Sequence, residues 1–76
     1  MIFVPARLSN IKRVLEAMGA TIEEPSSGSH WKVRMDGMPM YPIPAHNGLR
    51  SEISDGYIKR MCSNFKIDYE EFRRKL

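Results

Sequence analysis

His30, Lys32 and Arg34 alternate with Trp31, Val33 and Met35, and this alternation joins a proton-transfer group to two cations. A free imidazole titrates at about pH 6.5 and so accepts or donates a proton near neutrality. An ammonium and a guanidinium close by supply charge-assisted hydrogen bonds to an oxyanion. In an extended strand successive side chains point to opposite faces. The three polar groups therefore share one face, about 7 Å between successive members, and the three apolar groups share the other. Gly28-Ser29 stand directly before His30, and a glycine lets a bound chain come close because it has no side chain. His46 lies in a polar connection, as a candidate anion contact or acid partner. On residue types alone, His30 reads first as a solvated residue at a strand start, and Lys32 and Arg34 read equally as the wet face of a sheet.

The other reactive types fall on positions with structural explanations. Cys62 is the single cysteine; it excludes an internal disulfide and a multi-cysteine zinc site, which fits a reducing compartment. It lies on the apolar stripe of a helix, where a small buried residue is expected. His30 and His46 have no further His, Cys, Asp or Glu at metal-ligand spacing, so neither a metal nor a cofactor is expected. Trp31 falls on the apolar side of its strand, as a core wedge rather than a stacking platform. Arg73-Arg74-Lys75 complement the negative end of a terminal helix.

The hydrophobic pattern supplies a scaffold for these groups. A chain of 76 residues has room for one domain. Leu8, Ile11, Val14, Leu15 and Met18 recur at helical spacing between Pro5, suited to a first turn, and Gly19, a C-terminal stop. Residues 20–24 read as a short edge strand ending at Pro25, followed by a Ser/Gly loop and the His30 strand. Asp36-Gly37 is a hairpin turn signal. The return strand is expected over 38–43, on the outside of the sheet, because Pro39, Pro42 and Pro44 donate no ladder hydrogen bonds. Residues 46–52 form a polar connection. A second helix, N-capped by Ser54, runs to about Asn64 and buries Tyr57, Ile58, Met61, Cys62 and Phe65. A third begins at Asp68, with Asp68 and Glu71 as a capping box and Tyr69, Phe72 and Leu76 turned inward.

The expected fold is thus α+β, in the order α-β-β-β-α-α. Helices pack on one face of a three-stranded antiparallel sheet and leave the other face open. Twelve Lys and Arg against nine Asp and Glu give a net charge of +3, which permits a polyanionic partner without requiring one. No apolar run reaches the roughly 18 residues of a membrane span. The apolar opening Met1-Ile2-Phe3-Val4-Pro5 is too short for a secretory signal. A cytoplasmic location is expected, and the oligomeric state stays open.

Gly28-Ser29-His30-Trp31, then a hairpin, then Pro42-Ile43-Pro44-Ala45-His46, then Glu52-Ile53-Ser54-Asp55-Gly56-Tyr57-Ile58 together resemble the HicA family of mRNA interferase toxins. The stretch 65–72 is similar to that family's C-terminal pattern of a hydrophobic turn followed by Glu-Glu-Phe. The resemblance runs from the first helix to Phe72. It implies a fold like the double-stranded RNA-binding domain, endoribonuclease activity on mRNA, His30 as the catalytic residue and a HicB-type antitoxin as partner. RNA carries its own nucleophile, the 2′-hydroxyl, so cleavage needs a proton acceptor, a proton donor and cations around the phosphorane. In that setting His30 takes the proton, and Gly28, Ser29, Lys32, Arg34 and His46 are candidate RNA contacts. Glu23-Glu24 stand where the family usually carries basic residues, and the connection 47–51 is longer than usual. A non-catalytic RNA-binding module of the same fold, and a protein interaction module using the open face or an edge strand, remain alternatives.

Overall fold

The structure, a computed structural model, describes residues 4–76, so the apolar opening Met1-Ile2-Phe3 lies outside the described residues. The elements are β1 (Ala6–Arg7), α1 (Leu8–Ala17), β2 (Thr21–Glu23), β3 (His30–Arg34), β4 (Tyr41–Pro44), β5 (Glu52–Ile53), α2 (Asp55–Asn64) and α3 (Tyr69–Lys75). The fold is α+β, with the helices against one face of the antiparallel sheet β2-β3-β4, in a layout like that of the double-stranded RNA-binding domain.

The apolar stripe of α1 buries Leu8, Ile11, Val14 and Leu15. Its end follows from Gly19, whose φ of +90° is open to glycine at little cost. There the Gly19 N–H donates to the Glu16 carbonyl at 3.1 Å and the Ala20 N–H to the Leu15 carbonyl at 3.0 Å, a Schellman closure. The start differs from the sequence expectation. Pro5 is not in the first turn, because Ala6–Arg7 are drawn into an antiparallel pair with Glu52–Ile53. The helix begins at Leu8, whose N–H finds the Ser51 carbonyl at 2.9 Å. Ser51, read as part of a polar connection, is buried, and its hydroxyl accepts from the Asn47 N–H at 2.8 Å.

In the sheet β3 is central, with Trp31 opposite Ile43 and Val33 opposite Ile22 and Tyr41. Trp31, Val33 and Ile43 are buried against the helices. The return strand occupies 41–44, later than the expected 38–43. Residues 36–40 instead form the connection, opened by a Met38 N–H to Met35 carbonyl bond of 3.0 Å and held by Asn64 Nδ2 donating to the Pro39 carbonyl at 2.9 Å. Pro42 and Pro44 stand opposite Lys32 and His30, and their missing N–H groups fall on the outward side of this edge strand. The β4 edge therefore offers few donors to another strand.

Ser54 caps α2 by accepting from the Tyr57 N–H at 3.4 Å, and Asp68 caps α3 by accepting from the Glu70 N–H at 3.1 Å. The expected capping box forms on one side only, because Glu71 pairs with Lys75 at 3.5 Å. Ile58, Met61, Cys62, Phe65 and Phe72 complete the core. Among the described residues no helix is long and apolar enough to cross a membrane.

Candidate functional site

Alternation along β3 exposes His30, Lys32 and Arg34 together on the open face. His30 begins the strand because the loop before it turns at Gly28, where φ is +81°. A Cβ built at Gly28 would meet nothing within 4 Å, so the glycine answers a backbone demand and the space above it is open. The Ser29 carbonyl accepts the Ala45 N–H at 2.7 Å. That bond carries the β3–β4 pairing beyond the strand end and brings His46, the next residue, to the end of the sheet that holds Gly28, Ser29 and His30.

The two cations behave differently. Lys32 stands between Glu23 and Pro42 across the two pairings and is exposed. Arg34 is opposite Thr21, and its Nε donates to Glu23 at 2.6 Å. The Arg34 hydrogen bond and charge, with a weaker pull from Lys32, hold the Glu23 carboxyl below the usual carboxylate range. The acidic residue before the loop is thus coupled to the basic row rather than merely near it.

Beside this row the structure assembles a cleft that residue types alone did not reveal. Pro44, His46, Glu52, Ile53, Ser54 and Tyr57 line a space of about 250 Å³. Helical spacing placed Tyr57 in the core; instead it is half-buried, with the Arg60 guanidinium 5.1 Å from its ring centroid and the Tyr41 ring nearly perpendicular at 6.2 Å. The signal available in the sequence was the Glu52–Ile58 stretch itself, read only as a helix start.

Cys62 is buried, and burial, reinforced by the charges of Asp68 and Asp55, pushes its thiol up to about 11. A thiol so rarely ionised is a poor nucleophile. Arg73 lies 3.7 Å from Asp55 and donates to the Val4 carbonyl at 2.8 Å, so this member of the basic helix end ties elements together. Among the described residues no three His, Cys, Asp or Glu side chains converge as a metal site. Comparison of the chain with protein-family models, with curated proteins and with solved structures finds no match.

Proposed function

We propose that the chain is a HicA-type toxin, an endoribonuclease that cleaves mRNA in the cytoplasm and is neutralised by a HicB-type antitoxin. The observation that carries this reading is the exposure of His30 and Lys32 side by side on the open sheet face, next to the turn at Gly28. An imidazole there takes the proton of a ribose 2′-hydroxyl as its oxygen attacks the adjacent phosphorus. The P–O5′ bond breaks and the departing O5′ takes a proton from water, leaving a 2′,3′-cyclic phosphate and a 5′-hydroxyl. Lys32 neutralises charge on the phosphorane, while the Gly28-Ser29 loop and His46 hold the strand. Arg34 joins them when phosphate displaces Glu23. An antitoxin covering this face would block all of these groups at once.

The test is His30→Ala. His30 is exposed and outside the core, so the variant should keep the thermal unfolding midpoint of the parent. It should lose growth arrest on expression and lower RNA cleavage by at least about a hundredfold. Equal toxicity of the variant would remove His30 from the chemistry. Salt-sensitive RNA binding with no 5′-hydroxyl ends from either protein would identify a non-cleaving RNA-binding module.

A further inference from the structure

We infer that the cleft between the end of β4 and the start of α2 is a nucleobase pocket, selective for an unpaired base that presents an amino group, guanine above all. This rests on the endoribonuclease reading and names the substrate class of the same site. An A-form duplex holds each 2′-hydroxyl out of line with the bond to be broken, so attack needs a nucleotide pulled out of the helix. RNA-binding proteins commonly hold such bases on aromatic side chains and read them along their Watson–Crick edges.

The cleft has the groups for that task. His46 is exposed and supplies an imidazole, while Tyr57 is a wall that carries the Arg60 guanidinium 5.1 Å from its ring centroid and meets the Tyr41 ring in a T-shaped contact at 6.2 Å. Glu52 is an exposed residue that lines both this cleft and the neighbouring one beside Arg7 and Arg73; it carries a carboxylate, acceptor-only when ionised, and its backbone is set by the Arg7–Glu52 pairing of β1 and β5. Guanine offers N1–H and N2–H side by side to two carboxylate oxygens. Adenine and cytosine offer one amino group, and uracil a single imino N–H. A carboxylate wall therefore ranks guanine first and uracil last.

The location joins the pocket to the chemistry. Pro44, one of its walls, is the direct cross-strand partner of His30. Paired strands lie about 4.8 Å apart, so a base seated in the cleft keeps its sugar and phosphate within reach of the β3 row. The amino-group selectivity belongs to Glu52, whereas proton transfer belongs to His30, and the two are separable by substitution.

The probes are single-stranded oligodeoxynucleotides with one ribonucleotide, in which the base on either side of the scissile phosphate is guanine, adenine, cytosine or uracil in turn. The parent protein should cleave the best guanine probe at least about tenfold faster than the matching uracil probe. Glu52→Gln should erase that ratio, His46→Ala should slow every probe, and His30→Ala should stop cleavage of all. Glu52 is exposed, and an unchanged unfolding midpoint would separate selectivity from stability. A parent indifferent to the base, or a Glu52→Gln variant with the parent's relative rates, overturns the pocket while His30-dependent cleavage leaves the endoribonuclease intact. Absence of His30-dependent cleavage on every probe overturns both.

Discussion

On the proposed endoribonuclease reading, a phosphate oxygen would compete with the Glu23 carboxylate for the Arg34 guanidinium, whose Nε donates to Glu23. The two side chains are 53% and 56% exposed, so their pairing is weak in stability and displaceable by a ligand. Glu23→Gln should therefore leave stability nearly unchanged while freeing a cation for RNA. Measured by fluorescence anisotropy in a His30→Ala background, binding should tighten several-fold. The slope of log affinity against log salt should steepen by about 0.7 to 1, the signature of one added phosphate contact. Adding Arg34→Ala should cancel the gain. Identical affinities with and without the Glu23 carboxylate would show that Arg34 never meets the backbone of RNA. Alternation alone put His30, Lys32 and Arg34 on one face, because period two is a local property of β3. The Glu23–Arg34 contact was not legible, since it depends on the register between two strands. The cleft was less so, since Pro44, Glu52 and Tyr57 meet only after the chain has closed.

The elements divide along the same physical line. The three helices carry long apolar stripes and local caps, and Ser54, Asp68 and Gly19 mark their ends in the sequence as they do in the structure. β1 and β5 have two residues each, too few for any period, and their pairing is what moves the start of α1 past Pro5. The end of α2 shows a second hidden feature. Lys66 has φ of 56°, and its N–H donates to the Ser63 carbonyl at 3.3 Å while the Ile67 N–H donates to the Cys62 carbonyl at 2.8 Å. This is the Schellman position that glycine fills at Gly19, occupied by a residue with a Cβ. Left-handed backbone strains a side-chain-bearing residue, and glycine relieves the strain against a smaller entropic cost. Lys66→Gly should add about 0.5 to 1 kcal/mol of stability, and raise Tm by about 2 to 8 °C. Differential scanning calorimetry checks it, with Lys66→Ala as the control that keeps the strain. A glycine variant no more stable than the alanine one would mean that the turn is not strained.

Across the whole molecule one core joins helices and sheet, and it contains an ionisable thiol: Cys62 is 1% exposed and belongs to the same buried cluster as Ile58, Met61 and Phe65. The fold keeps the proton on this thiol, raising it from 9.0 to about 11. Tyr69 is displaced in the same direction, by burial and by the hydrogen bond it donates to Asp55. A group whose folded pKa lies above its unfolded value contributes stability that is fully present below the unfolded pKa and is lost as pH rises through the folded one. For Cys62 that window runs from about pH 9 to pH 11 and beyond, and the loss by pH 11 amounts to about 2 kcal/mol. Cys62→Ala removes this contribution. Its cost from lost packing is present at every pH, so the variant should start less stable at pH 8 and converge toward the parent as pH rises. Tyr69 declines in both proteins, and because its shift comes first from burial and from Asp55, with the charge of Cys62 the last of its causes, most of that decline cancels in the comparison. Urea unfolding in the presence of a reductant, at intervals from pH 8 to pH 11, measures the difference directly. A gap between the two proteins that stays constant over that range would mean that the core does not hold the thiol in its neutral form.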